Sequence, residues 1–213
     1  MGRCGLASLA CLAGDFLPIM QRVKRLLLIL AVVDTGCAQG PEVPAMVPDI
    51  NNAPSVSGRK TIAISRALGG KETNFFMTSE IDNEGFRKAL EIALEKSRLF
   101  RIVFIDLNGD YVLYPKIMAQ DVIPGLSMRS VFKVDYRIVD GWSEKELWQR
   151  RVISTYDAPL AEALYGVSRV RKAHEGSVRE NIQSLLTQLS EFVAADINRD
   201  TGNPSMQPAG DPR

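Results

Sequence analysis

The sequence predicts an α+β domain: a mostly antiparallel sheet of about five strands, with two helices on one face and the C-terminal helix long. Three observations predict it. Met128 to Val139 alternates, with Val131, Lys133, Asp135 and Arg137 on one face and Phe132, Val134, Tyr136 and Ile138 on the other. Turn-forming residues, Asn108-Gly109-Asp110 and Asp140-Gly141, separate strand-like runs as hairpin turns do. Two apolar stripes at helical spacing, one after Asp82 and one from about Leu160 to Ala195, supply the helices.

In chain order, Thr61 to Ser65 reads as a first strand with Ile62 and Ile64 on one face. After a Gly69-Gly70 turn, Asp82 caps a helix in which Phe86, Ala89, Leu90, Ala93 and Leu94 face inward, with Phe100 just beyond. Arg101 to Ile105 resumes a strand and is expected to pair as a hairpin with Tyr111 to Met118 across Asn108-Gly109-Asp110. Met128 to Val139 and Lys145 to Tyr156 form a second hairpin through Asp140-Gly141. In the last helix Leu164, Val167, Val170, Val178, Ile182, Leu185, Leu189 and Phe192 make one stripe, and Gly166 and Gly176 predict a bend or break in its first half.

Four regions follow. Residues 1–36 read as a signal segment, 37–58 as a proline-rich tether, 59–198 as one domain and 199–213 as a disordered tail. Met20 to Gln39 carries the address: the cations Arg22, Lys24 and Arg25, the apolar block Leu26 to Val33, and the small-residue exit Gly36-Cys37-Ala38. The block is too short to span a bilayer as a permanent helix. Met1 to Ile19 places a second apolar run before the cations, so either translation starts at Met20 or the cationic region is unusually long. Extended, the tether from Gly40 to Gly58 would reach about 60 Å.

Composition narrows the function. The 213-residue chain is 46% hydrophobic and 24% charged, enough for one buried core. Without residues 1–36 it keeps 22 Lys and Arg against 23 Asp and Glu, so no overall field draws it to nucleic acid. Cys4, Cys11 and Cys37 all precede the domain, which therefore forms no internal disulfide.

No constellation announces chemistry, and no catalytic residue, metal or cofactor is expected. His174 is the only histidine and has no neighbouring ligand of metal-cluster spacing, which leaves it a structural or surface role. Gly69-Gly70-Lys71-Glu72-Thr73-Asn74 fails as a phosphate loop: Ser65 stands where the first glycine is needed, and Glu72 replaces the magnesium-binding Ser or Thr. A structural turn is the plainer reading; a partner or ligand contact through Lys71, Glu72, Asn74 and Phe75 is the sharper one. Glu72, Glu80, Asp82 and Glu84 suit a helix N-terminus more than a paired-carboxylate site. The basic run holding Arg169, Arg171 and Arg179 is either a salt-bridged face, with Glu162, Glu175 and Glu180 at hand, or an anion or partner site. Trp142 and Trp148 flank the last hairpin, for sheet packing or partner contact.

Three stretches carry a resemblance: Gly69 to Asn74, Thr78 to Glu91, and Gly166 to Arg171 with Glu175 to Ile182. Together they are similar to a group of small, poorly characterised proteobacterial envelope lipoproteins, over about Thr61 to Leu189. In order of elements the chain also resembles, loosely, lipoproteins of the YajG type. Members of the group are sometimes labelled UDP-N-acetylglucosamine acyltransferases, but those enzymes are built from hexapeptide repeats, and this chain has no repeat. The resemblance implies lipid attachment at Cys37, anchoring to a membrane, an envelope protein as partner and a binding or assembly role. Ala38 after the cysteine resembles the pattern of lipoproteins sent on to the outer membrane, on its periplasmic side. The alternatives are a soluble periplasmic protein cut before Gln39 and, least favoured, an acyltransferase-type enzyme. Asp34, three residues before Cys37, stands where such signals usually carry an apolar residue.

Overall fold

A computed structural model describes residues 40–50, 59–73, 79–104, 109–163 and 166–200. The elements are α1 (Val43–Met46), β1 (Ile62–Ile64), α2 (Asn83–Ser97), β2 (Val103–Phe104), β3 (Tyr111–Ile123), β4 (Met128–Asp140), β5 (Glu146–Ala158) and α3 (Gly166–Asp200). The five strands form one sheet in the order β2-β1-β3-β4-β5.

The α+β class and the long final helix hold, but the sheet is mixed where the sequence predicts it mostly antiparallel. β1 is parallel to both β2 and β3, and only the β3–β4 and β4–β5 pairs are antiparallel. The expected hairpin between β2 and β3 is absent because β2 pairs on the far side of β1. Gly109 and Asp110 are therefore part of a passage over β1. A Cβ on Gly109 would lie 2.9 Å from the Ala63 nitrogen, which is why glycine stands there. The Asp110 carboxylate then takes the Thr61 N–H at 2.7 Å and the Thr61 hydroxyl at 2.8 Å, fixing the passage to the start of β1. The Thr61 bonds hold the Asp110 carboxyl below its ordinary range.

α2 begins as expected. Asp82 accepts the Gly85 N–H at 2.7 Å, and Arg98 closes the helix in the left-handed conformation at φ 54°. Phe86, Ala89, Leu90, Ala93 and Leu94 are all buried, and Phe86 meets Phe132 of β4 edge to face at 5.3 Å. α3 supplies Val178, Ile182, Leu185, Leu189 and Phe192 to the same core. Ile62, Ile64, Leu113, Phe132, Val134, Tyr136 and Val152 face these helices, so both cover one side of the sheet. α3 is one continuous helix through Gly176, so the predicted break is absent.

β3 runs to Ile123, beyond the expected end at Met118, because a register shift between Ile117 and Ala119 breaks its alternation. Past the shift, Gln120 returns to the core face. Its side chain takes the Ile81 N–H at 2.8 Å and donates back to the Ile81 carbonyl at 3.3 Å, pairing that backbone as a strand would.

Part of the stretch whose composition reads as extended tether packs on the domain. Met46 is 1% exposed, and α1 lies between α2 and α3. Arg179 donates to the Ala45 carbonyl at 3.1 Å, Arg171 to the Glu42 carboxylate at 3.3 Å, and the Glu42 N–H to Glu175 at 3.0 Å. Val43, Met46 and Val47 carry enough apolar surface to dock, and the helix cations satisfy the polar groups that docking would strand. Of the expected tail 199–213, Arg199 and Asp200 close α3 instead, and 201–213, like the segment 1–39, lie outside the described residues.

Asp110→Ala leaves the buried Thr61 N–H without its acceptor. It is expected to lower unfolding free energy by about 2 kcal/mol, measured by urea denaturation against wild type.

Candidate functional site

The polar residues that come together most closely do so beneath the surface, where the first half of α3 crosses β4 and β5. Ser130 and Ser154 sit on the core faces of those strands. His174, Ser177 and Asn181 recur at intervals of three and four on α3, which aims them at the sheet. Ser130 Oγ lies 3.1 Å from His174 Nδ1 and 2.9 Å from Ser177 Oγ. Ser177 donates to the His174 carbonyl at 3.0 Å. Ser154 Oγ donates to the Ser177 carbonyl at 2.7 Å. Asn181 donates to the Val152 carbonyl at 3.1 Å and to Ser154 Oγ at 3.2 Å, and takes the Tyr136 hydroxyl proton at 2.7 Å. All six residues are buried.

A serine against a histidine invites comparison with a nucleophile and its base, but the pair lies sealed in the core. Ser177 Oγ can donate to the His174 carbonyl or to Ser130 Oγ, and the His174 tautomer follows from the direction in which that chain of hydroxyls runs. His174 is also only 1% exposed, and burial, with the charge of nearby Lys71 adding to it, pushes the imidazole down to about 4. The network is a neutral, satisfied seam that fixes how α3 lies on the sheet.

Gly176 sets the depth of that contact. A Cβ there would fall 2.3 Å from the Tyr156 ring, so only glycine lets the helix come this close. Tyr156 donates to Glu162 at 2.8 Å, and the Arg179 guanidinium lies 5.6 Å from its ring centre.

The residues singled out in the sequence are placed as follows. Arg169 donates to the Leu126 carbonyl at 3.2 Å, Arg171 pairs with Glu42 and Glu175, and Arg179 serves the Ala45 carbonyl and Tyr156. The three arginines thus gather other parts of the same chain. Lys71 and Glu72 are exposed, but the turn before them offers no open cradle of N–H groups: Gly70 N donates to Asn83 Oδ1 at 2.7 Å and Lys71 N to the Ile81 carbonyl at 2.9 Å. Gly69 and Gly70 serve packing, since Cβ atoms would fall 2.1 Å from the Ile117 oxygen and 2.6 Å from the Asn83 nitrogen. Asn74, Phe75 and Cys37 lie outside the described residues. Asp82 caps α2, while Glu84 pairs with Arg87, whose hydrogen bond holds the Glu84 carboxyl below its usual value. Trp148 packs on Phe192, but Trp142 is 87% exposed at the tip of the β4–β5 turn and packs on no sheet. Among the described residues no three His, Cys, Asp or Glu side chains converge as a metal site would need. None of the described helices is long and apolar enough to cross a membrane.

Sequence reading missed the seam. Ser130 shares its strand face with Phe132, Val134 and Tyr136, and Ser177 and Asn181 each immediately precede or follow a stripe residue. Small polar residues in core phase on both partners were the available signal.

No family model matches the chain, and no curated protein matches it in sequence. Similar folds are found among solved structures. Protein XCC0632 from Xanthomonas campestris, of family model DUF330, superposes with a TM-score of 0.55 at 9% identity, over 72% of this chain and 94% of that one. Hypothetical protein CT253 from Chlamydia trachomatis gives 0.48 at 10%, over 64% and 99%. A minor lipoprotein from Acinetobacter baumannii gives 0.42 at 10%, over 64% and 94%. At such identities the likeness to XCC0632 shows a common fold and nothing about activity, and the two weaker superpositions carry no argument. Nothing in these comparisons supports a YajG-type or acyltransferase assignment.

The seam makes stability depend on pH in one direction. With a folded value of about 4 against about 6.5 unfolded, His174 takes up its proton in the unfolded chain first. Stability is therefore expected to fall as pH drops from about 6.5 to about 4, by up to about 3 kcal/mol, measured by denaturant titration across that window. A His174→Asn chain should lose that part of the slope.

Proposed function

We propose that the protein is a lipid-anchored domain on the periplasmic side of the bacterial outer membrane, acting there as a binding or assembly module. One observation carries the reading: Gly36-Cys37 stands at the exit of a cationic and apolar export segment. A lone cysteine at the head of an otherwise cysteine-free domain is a hazard in an oxidising compartment unless it is modified. The binding role draws its support from the chemistry of the fold. The buried seam is neutral and closed, the Gly69-Gly70 turn is internally bonded, and the basic run is occupied by the chain's own carbonyls and carboxylates. The partner proposed is an envelope protein, with Lys71 and Glu72 among the exposed residues available to it, and Asn74 and Phe75 following them in sequence.

A second reading is favoured by Asp34. A charge three residues before Cys37 hinders lipoprotein processing, whereas Gly36-Cys37-Ala38 also suits cleavage before Gln39 by the ordinary signal peptidase. Metabolic labelling with a palmitate analogue, wild type beside Cys37→Ala, separates the two. The lipid anchor predicts label that disappears in Cys37→Ala; unlabelled wild type with an N-terminus at Gln39 supports the soluble form.

A further inference from the structure

β5 closes one side of the sheet, as the last strand in the order β2-β1-β3-β4-β5. At 13 residues it is about twice the usual strand length. Among the described residues no strand other than β4 pairs with it, so its outer edge presents backbone donors and acceptors to a further strand. The usual devices that blunt such an edge are missing. No proline falls between Glu146 and Ala158, and the one register shift against β4 lies at the far end, beside Val139. A groove of about 370 Å³ follows this edge, lined by the consecutive residues Ile153 to Asp157 and, from α3, by Glu180 and Ser184. Consecutive strand residues point to opposite faces, so a groove that touches all five runs along the edge itself.

The sequence of β5 is complementary to itself. Antiparallel pairing with β5 of a second copy, about a two-fold axis at Ile153, sets Trp148 to Ala158 of one chain against Ala158 to Trp148 of the other. Ile153, 57% exposed, then meets its own copy and is covered. On the same face Gln149 stands opposite Asp157, and Arg151 opposite Thr155 with Asp157 as its diagonal neighbour. Within one chain Arg151 pairs with Asp135 and Asp157 with Arg129, so the junction joins two surface ion pairs into one cluster of alternating sign. On the helix face Arg150 stands opposite Tyr156, beside which Glu180 walls the groove. Arg150 reaches only the neighbouring Gln149 carbonyl, at 3.0 Å, and neither it nor Glu180 has an ion pair among the described residues. The second copy supplies each with the other. No like charges are directly opposed in this register. A slip of two residues one way sets Arg150 against the buried Ser154; a slip the other way shortens the pairing to Arg150 through Ala158.

We propose that β5 is a self-association surface, through which two copies of the chain join edge to edge, antiparallel about Ile153, into one continuous sheet. A two-fold axis normal to the sheet leaves α2 and α3 of both copies on the same face. The inference goes beyond the lipid-anchor reading and does not depend on it, since every residue it uses lies within the folded domain.

Oxidative cross-linking of the purified full chain tests it, in a background carrying Cys4→Ser, Cys11→Ser and Cys37→Ser so that no lipid takes part. Ile153→Cys is expected to give a disulfide-linked dimer on mild oxidation, and Trp142→Cys, exposed at the β4–β5 turn and away from the junction, to remain monomeric. Gln149→Cys and Asp157→Cys chains are expected to link to each other when mixed. Adding Arg150→Glu to Ile153→Cys should lower the yield of dimer at least about tenfold, by setting like charges together, and adding Glu180→Arg as well should restore it. Monomeric Ile153→Cys, or linkage of Trp142→Cys to the same extent, overturns the proposal. So does linkage of Ile153→Cys that Arg150→Glu leaves unchanged, or failure of the mixed Gln149→Cys and Asp157→Cys chains to link. Each of these results leaves the lipid anchor untouched, and a mature chain without lipid leaves the junction untouched.

Discussion

The fold depends on how closely α3 approaches β4 and β5. At Gly176 the helix backbone lies against the Tyr156 ring with no room for a Cβ, and one turn either way Ser130, His174, Ser177, Ser154, Asn181 and Tyr136 bond across the gap. Apolar stripes alone would let a 35-residue helix slide along a sheet by a turn with modest loss, since Leu, Ile and Val interchange easily. Directional bonds do not permit this, because each slip would leave buried donors and acceptors unmet. The seam sets the register, and the register places Arg169, Arg171 and Arg179 where they grip the β3–β4 turn and the N-terminal segment.

This arrangement explains why a basic run in a nearly neutral protein need not be a binding site. Arg169, Arg171 and Arg179 each meet a carbonyl or carboxylate from elsewhere in the chain, and Glu175, buried beside them, balances Arg171 and Lys172. The same side chains that resemble an anion site in sequence therefore hold the β3–β4 turn and the N-terminal segment to the domain.

Much of the architecture was legible in the sequence. The alternation of β4, the Asp82 cap and the stripes of α2 and α3 are local patterns, and each element forms where its period requires. Topology was not legible, because the pairing of β2 with β1 instead of β3 is decided by a passage over β1 that only Gly109 hints at. The end of β3 was hidden by its register shift, which turns Met118 outward and Gln120 inward. Gly176 was misjudged for a related reason: helix propensity counts it as a weakness, while packing needs it. In the candidate site, the sequence identified His174 but not its partners, since a serine in core phase looks like an interruption until the opposite surface is known. Met46 and Val47 were likewise masked by the prolines around them, whose composition suggests solvated chain.

The central claim is that the close approach of α3 at Gly176 governs the fold, and a double-mutant cycle on stability tests it directly. In the intact protein, Gly176→Ala is expected to lower unfolding free energy by about 1–3 kcal/mol, although alanine is the better helix former. In a Tyr156→Ala background, where the ring is gone, the same substitution is expected to be neutral or stabilising by about 1 kcal/mol. Equal effects in both backgrounds would show that Gly176 and Tyr156 are not coupled and would contradict the account.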